Sequence, residues 1–435
     1  MTEKSSINLV VCSTLNQITN YLTIIKYRPK KIFNITFHKD ILPKFNINIK
    51  PHKWDKQLKE TIGDEYIFEE DIKLSNIYDL GDIKEKLKEK IIDKLPDEEV
   101  IYWNVTGGQR TIALAISELI REKNRKKDRV IYIEGNTEKL IYNNYKGELI
   151  NYEDISYKAS LLNFDKALSL VGFKCNSTKI KSTMILKKEG VSTENEKQAE
   201  YSFYKALYKI VKLQEKRCRR KYKISFDGKE YNDCFRNLLL KINTFESGEK
   251  RQMFAKELFN ILVKEHKELK DTKYFTKDIE EIKKSYPAGY IFEKLTAYKI
   301  YEIIKNNHKI IGMETSLKIY FNDEEKPNHI IDELDIVLLT DTGKIINFEC
   351  KSGGMKGDNA KSHKYTTYRL SGVFGMPILL SPLYYKETLD DFKNEDEILK
   401  NQLQAFRAAK AAELEVFTID KIEEGLKKLG YSRNS

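Results

Sequence analysis

Asp332-Glu333-Leu334-Asp335-Ile336-Val337-Leu338-Leu339-Thr340-Asp341-Thr342-Gly343-Lys344-Ile345-Ile346-Asn347-Phe348-Glu349-Cys350-Lys351 is the stretch that decides how the C-terminal part of this chain folds. Two apolar runs flank Asp341-Thr342-Gly343, a glycine-containing loop of the kind that joins hairpin strands. The pattern predicts one strand over residues 330–339 and a second over 344–351. A loop centred on Thr342 sets Thr340 opposite Lys344, and counting back along both strands sets Asp335 opposite Glu349. Directly opposed residues have Cβ atoms ~5 Å apart.

Two carboxylates that close repel each other unless a cation lies between them, so the pair suits a hard divalent ion, Mg²⁺ or Mn²⁺. The period of two then puts Lys351 on the face of Glu349 and turns the Cys350 side chain away, leaving the Cys350 backbone carbonyl as a further oxygen ligand. An ammonium at that position can orient an attacking water and stabilise charge on a phosphate, so phosphodiester hydrolysis is the expected reaction. A bare Glu-x-Lys is more often an exposed ion pair of little consequence. Here both strands are apolar on both faces, which places Asp335, Glu349 and Lys351 within a core, where charges have a partner or a task.

The surrounding order of elements agrees. Pro287-Ala288-Gly289 opens a predicted helix with Glu293 in its early turns, where it can face the strands. A strand over 310–321 and the hairpin follow, then a polar helix over 363–372 carrying His363 and Tyr365, a strand over 377–381 and a helix over 397–412. This α-β-β-β-α-β-α order resembles the PD-(D/E)xK restriction-endonuclease-like superfamily. Asp335 matches its aspartate, Glu349 and Lys351 its (D/E)xK, and Glu293 the glutamate of its first helix. The resemblance implies that Glu293, Asp335 and Glu349 hold one or two metal ions while Lys351 assists the water.

With 435 residues the chain exceeds what one core usually organises, and 40% hydrophobic and 11% aromatic residues supply packed cores. It has no apolar run of about 18 residues and no N-terminal signal pattern, so a cytoplasmic protein without membrane contact is expected. Cys12, Cys175, Cys218, Cys234 and Cys350 are widely spaced with no CxxC pair, which argues against a zinc site and a disulfide framework. The net charge of +11 favours a polyanionic partner, DNA or RNA. One basic cluster, residues 216–223, reads equally as a solvated helix end and as a nucleic-acid contact.

The N-terminal third alternates short apolar strands (7–12, 31–36, 100–105, 130–134) with amphipathic helices (17–26, 82–94, 111–122), the signature of a doubly wound parallel sheet. Ligands on such sheets bind at the carboxyl ends of strands. Ser13-Thr14-Leu15-Asn16-Gln17 follows the first strand, and Asn104-Val105-Thr106-Gly107-Gly108-Gln109-Arg110 follows a later one. The paired glycines permit a tight turn, the next helix offers free N–H groups to phosphate, and Arg110 adds charge. No GxGxxG or GxxxxGK[ST] is present, which counts against a dinucleotide cofactor and a Walker ATPase.

The Asn104–Arg110 stretch resembles the second ligand-binding motif of CARF domains, the Rossmann-like sensors of cyclic oligoadenylates in type III CRISPR immunity, and Ser13, Asn16 and Gln17 match their first loop. Together the two ends resemble CRISPR-associated CARF nucleases. That resemblance implies a cyclic oligoadenylate activator, bound by Ser13, Thr14, Asn16, Gln17, Asn104, Thr106, Gly107, Gly108, Gln109 and Arg110 across a homodimer axis. Cyclic tetra-adenylate is favoured and a hexa-adenylate is the other candidate ring, since Gln109-Arg110 stands where the family commonly shows Thr-Lys.

The expected division is an α/β sensor over 1–150, a connecting domain over 151–285 and an α/β nuclease domain over 286–435. The connecting part is helix-patterned (158–170, 196–211, 232–242, 251–265); a winged-helix-like domain and a simple helical spacer both fit. Two other functions fit the same residues: a restriction or repair nuclease needing no activator, and a nucleotide-responsive DNA-binding regulator with an inactive nuclease domain. The intact Asp335, Glu349 and Lys351 set speaks against the latter. A HEPN-type ribonuclease is disfavoured because no Arg is followed at five to seven residues by His.

Overall fold

The computed structural model describes residues 6–38, 51–155, 161–175, 287–321, 330–383, 385–389 and 397–432. Its first sheet is built from β1 (Ile7–Cys12), β2 (Ile32–Phe37), β3 (Ile72–Leu74), β4 (Val100–Asn104), β5 (Arg129–Glu134), β6 (Lys139–Asn143) and β7 (Leu149–Asp154) in the spatial order β3-β2-β1-β4-β5-β6-β7. The pairs from β3 through β5 are parallel, and the β5–β6 and β6–β7 pairs are antiparallel. β1 is central, so its sequence reads Ile-Asn-Leu-Val-Val-Cys without the alternation of a half-exposed strand.

Alternate residues of β1 serve two cores. Val10 and Cys12 join a cluster with Phe33, Trp103, Ile83 and Ile116, under α3 (Leu80–Lys90) and α4 (Arg110–Glu122). In α4 the buried positions Ile112, Ala115, Ile116, Leu119 and Ile120 follow the helical repeat and form one apolar stripe. Asp79 caps α3, its carboxylate accepting from Gly81 N and Asp82 N. Leu9 and Val11 face the opposite way, toward α1 (Ile18–Tyr27), which ends at Arg28 in a left-handed conformation.

The second sheet contains β8 (Phe173–Cys175), β9 (Ile310–Phe321), β10 (Ile330–Thr340), β11 (Ile345–Cys350), β12 (Met376–Ser381) and β13 (Glu415–Thr418), in the order β13-β12-β11-β10-β9-β8. The β8-β9-β10-β11 part is antiparallel, and β12 and β13 add in parallel. α6 (Pro287–Ile304), α7 (Gly357–Ser371), α8 (Glu397–Ala411) and α9 (Ile422–Lys428) accompany it. The expected helix-strand order is therefore present, extended by β13 and α9. One apolar cluster runs from Leu9, Ile18 and Ile133 of the first unit through Leu162 and Phe164 to Leu334, Val337, Leu339 and Ile345 of the second.

Several elements depart from the sequence expectation. α2 (Pro51–Ile62), β3, β6 and β7 add to the first unit, and β7 carries its sheet past residue 150 to Asp154. The helix expected over 158–170 is α5 (Phe164–Ser169), capped by the Asn163 side chain accepting from Lys166 N, and β8 just after it pairs with β9 of the second sheet. The helices expected over 196–211, 232–242 and 251–265, and the basic cluster at 216–223, lie outside the described residues. Among the described residues no helix is long and apolar enough to cross a membrane.

Candidate functional site

In the hairpin, Leu339 pairs with Ile345, Leu338 with Ile346, Val337 with Asn347 and Ile336 with Phe348. The next step of this register sets Asp335 opposite Glu349. Asp335 Oδ2 accepts a hydrogen bond from Cys350 N at 2.7 Å, tying the two strands at that point. Lys351 forms an ion pair with Glu349 Oε1, and its own N–H donates to Leu380 O of β12 at 3.2 Å. Glu293 on α6 is partly buried, and its Oε1 accepts from Ser316 Oγ at 2.8 Å. Ser316 lies within β9 at a φ of 51°, in the left-handed region.

These groups share one electrostatic environment. Burial raises the Asp335 pKa well above the ordinary carboxylate range, and the charges of Glu349 and Glu293 raise it further. Burial opposes the charge on Lys351, yet Glu349 and Asp335 outweigh it and hold its pKa above the usual value. The Cys350 thiol is pushed up by burial and by the carboxylates, so it stays a neutral thiol.

His363 lies on the inner face of α7. Its Nε2 is 3.1 Å from Asn347 O and its Nδ1 is 3.6 Å from Glu349 Oε2. Burial lowers its pKa despite Glu349, which favours the neutral ring. A carbonyl can only accept, so Nε2 carries the proton and Nδ1 is left to accept from Asn347 Nδ2 at 3.4 Å. His363 thus ties α7 to Asn347 of β11, while Tyr365 is exposed on the outer face beside Arg369.

The donor chemistry of Asp335 and Glu349, two carboxylates from adjacent strands with more negative than positive charge around them, fits a hard divalent ion. Among the described residues no three His, Cys, Asp or Glu side chains are gathered as a ready-made metal cluster. The structure brings together the Asp335–Glu349 pair and Lys351, with Glu293 near enough to act on Asp335 through its charge.

The second constellation lies where the strand order of the first sheet reverses. β1 and β4 are neighbours there, and the loops after them open on the same edge, the position at which doubly wound sheets take ligands. A Cβ on Gly107 would stand 2.7 Å from Thr14 Cγ2 and 2.9 Å from Cys12 O, and one on Gly108 2.9 Å from Cys12 Sγ. Both positions need glycine because the two loops touch. Gln109 is the N-cap of α4 without a side-chain cap bond, and Arg110 is exposed on its first turn.

Beneath the loops runs a buried polar chain. Asp55 of α2 accepts from Thr36 Oγ1 at 3.0 Å and Gln17 Nε2 at 3.1 Å, and Asn20 Nδ2 donates to Gln17 Oε1 at 2.7 Å. Asn104 Nδ2 donates to Asn20 Oδ1 at 3.1 Å and Thr23 Oγ1 at 3.2 Å. Asn104 Oδ1 in turn accepts from Thr106 N at 3.1 Å and Thr106 Oγ1 at 2.6 Å.

Gln17 and Asn104 are fully buried in this chain, and Ser13 is buried beside Asp55, so these three shape the loops from below. Thr14, Asn16, Thr106, Gly107, Gly108, Gln109 and Arg110 are the expected residues with surface to offer. Sequence reasoning passed over Asn20, Thr23, Asp55 and Ser316. The signal for the first two was present, since Asn20 and Thr23 are polar residues on the apolar side of α1.

No family model matches the sequence, and no curated protein matches it. Solved structures share its fold. Protein VC1899 from Vibrio cholerae superposes with a TM-score of 0.61 at 13% identity, covering 98% of this chain and 97% of that one. Can2 from Sulfobacillus thermosulfidooxidans, solved in complex with cyclic tetra-adenylate, superposes with a TM-score of 0.57 at 16% identity, over 97% of this chain and 98% of that one.

Proposed function

We propose that this chain is a cyclic-oligoadenylate-activated, metal-dependent nuclease of type III CRISPR defence, with its sensor on the first sheet and its catalytic residues on the second. The observation that carries the reading is the half-buried pairing of Asp335 with Glu349 beside Lys351 at the end of β11. The glycine loops at the reversal point of the first sheet, and a whole-chain likeness to a protein solved with cyclic tetra-adenylate, support the sensor half.

Asp335 and Glu349, with Glu293 and the Cys350 carbonyl, would hold Mg²⁺ or Mn²⁺. Such an ion, when bound, polarises the phosphate and makes water a better nucleophile at neutral pH. Lys351 holds the attacking water in line and stabilises the charge that grows on the phosphate oxygens. His363 bonds through both ring nitrogens to Asn347, two residues before Glu349, and so fixes the stretch of β11 that carries that carboxylate. The net charge of +11 suits sequence-independent backbone binding to DNA or RNA.

A cyclic tetra-adenylate has rotational symmetry that matches a two-fold homodimer, each protomer presenting Thr14, Asn16 and the Thr106–Arg110 loop. Moving a switch from almost wholly off to almost wholly on requires about 5.5 kcal/mol of differential binding, within reach of several phosphate contacts. The test incubates purified protein with plasmid, single-stranded DNA and RNA, with Mn²⁺, with and without cyclic tetra- and hexa-adenylate. Cleavage that depends on the activator, and that Glu349→Ala abolishes while activator binding persists, is the expected result. Cleavage indifferent to every cyclic oligoadenylate would favour the activator-free nuclease instead.

A further inference from the structure

The first unit touches the catalytic hairpin at its turn, and it does so with the elements that flank the sensor loops. Gly343, in that turn with a φ of +80°, packs against Ile18 so closely that a Cβ there would stand 2.5 Å from Ile18 Cγ2. Ile18 is the first residue of α1, directly after Asn16 and Gln17. The β5–β6 turn reaches the same place. Its Glu138, held at a φ of 55°, accepts Lys344 Nζ at 3.1 Å and Thr342 Oγ1 at 3.1 Å, and Tyr431 OH lies 3.4 Å away. The Lys344 and Glu138 side chains are only 8% and 18% exposed, so the pair is largely shielded from water.

The end of α7 meets the sensor loop too. A Cβ on Gly372 would stand 3.3 Å from Asn16 Nδ2, and Ser371 Oγ accepts from Ile345 N at 2.9 Å. α7 carries His363 against Glu349, and β10 and β11 carry Asp335 and Glu349. The end of α7 is thus seated on Asn16 of the sensor loop, and the hairpin turn on Ile18, the residue after that loop, and on Glu138.

We infer that Glu138, through Lys344 and Thr342, is the contact that couples activator binding to the catalytic hairpin. This rests on the proposed function and names its regulation. A shift of the β1–α1 loop moves Ile18 against the hairpin turn. The Glu138–Lys344 pair anchors that turn to the first sheet, so the shift reaches Asp335 and Glu349 instead of being absorbed at the interface. Breaking a shielded ion pair leaves a charge without its partner, so the turn loses its register on the first unit.

The experiment measures cleavage of single-stranded DNA, RNA and plasmid with Mn²⁺, with and without cyclic tetra- and hexa-adenylate, together with activator binding by calorimetry. It compares wild type, Glu138→Gln, Lys344→Met, the charge swap Glu138→Lys/Lys344→Glu, and Thr342→Val. The last removes one hydroxyl and tests the contact even where an ion-pair variant folds poorly. Glu138→Gln and Lys344→Met should bind activator within about threefold of wild type yet lose about tenfold or more of its stimulation, with basal cleavage retained. Thr342→Val should lose an intermediate share, and the swap should recover part of the response. Stimulation unchanged in Thr342→Val and in the folded ion-pair variants overturns this inference and leaves the proposed function standing. A wild type that ignores every activator overturns both.

Discussion

Replacing Asp335 by Asn separates what the acidic pair costs the fold from what it contributes to function. The charges of Glu349 and Glu293 both act on Asp335, beside the ammonium of Lys351. Opposed side chains on neighbouring strands are ~5 Å apart, and like charges at that distance repel by about 3 kcal/mol at an effective dielectric near 20. Lys351 offsets part of this, and an Asn oxygen can still accept the Cys350 N–H that Asp335 Oδ2 now accepts. Asp335→Asn should therefore unfold later than wild type by about 1–3 kcal/mol without divalent ion. Mn²⁺ at a hundredfold excess over its dissociation constant should stabilise wild type by about 2.7 kcal/mol and Asp335→Asn hardly at all. Denaturant unfolding of both proteins, with and without Mn²⁺, reads all four values. An equal Mn²⁺ effect on the two would refute the assignment of Asp335 as a ligand, and a strongly destabilised variant would refute the charge argument.

Gly107→Ala should lower affinity for cyclic tetra-adenylate by about tenfold or more in calorimetry and cost about 1–3 kcal/mol of stability, because its Cβ meets Thr14 and the Cys12 carbonyl. Asn104→Ala breaks four hydrogen bonds and should destabilise the fold by about 2–4 kcal/mol in denaturant titration; a loss of activator affinity with no loss of stability would make Asn104 a direct contact instead. Asp55 gives a pH test. Burial raises its folded pKa above the unfolded value of about 3.9, so its contribution is fully present below pH ~4 and is lost as pH rises through the folded pKa. Asp55→Asn should therefore gain stability relative to wild type between pH 4 and pH 7.5, and a difference independent of pH would count against the buried charge.

The hairpin was legible because two apolar runs flank a short glycine loop, and the loop's length sets the register that decides where Asp335 and Glu349 meet. β1 and β4 were legible for a related reason, since central parallel strands are apolar throughout. α2 was not. Its sequence Pro-His-Lys-Trp-Asp-Lys-Gln-Leu-Lys-Glu-Thr-Ile offers few apolar residues, and Trp54 and Leu58 find their core only when the helix docks. β7 escaped because four of its first residues are exposed at a sheet edge and leave no hydrophobic alternation. Without α2 there was no Asp55, and so nothing in the chain of residues told whether Gln17 and Asn104 faced a ligand or a buried carboxylate. His363 was legible as a residue near the cleft, but the side of α7 it occupies is decided by Thr367 and Leu370, which turn that face toward β11.

The packing between the units bears on the choice between a switched and an activator-free nuclease. A first unit that served only to pair two copies would have no reason to place a shielded ion pair and a glycine-tight contact on the turn between the two catalytic strands. Such contacts restrict both partners: Gly343 leaves no room for a side chain at Ile18, and Lys344 gives up water to reach Glu138. Leu9 and Ile18 share their apolar cluster with Leu339 and Ile345, so α1 and the hairpin pack as one body and not as two surfaces that slide. A close-packed interface of this kind passes a displacement on instead of absorbing it, and the loop that would meet the activator ends one residue before Ile18. The strands that carry Asp335 and Glu349 are therefore held partly from the first sheet, which favours the switched reading over the activator-free one.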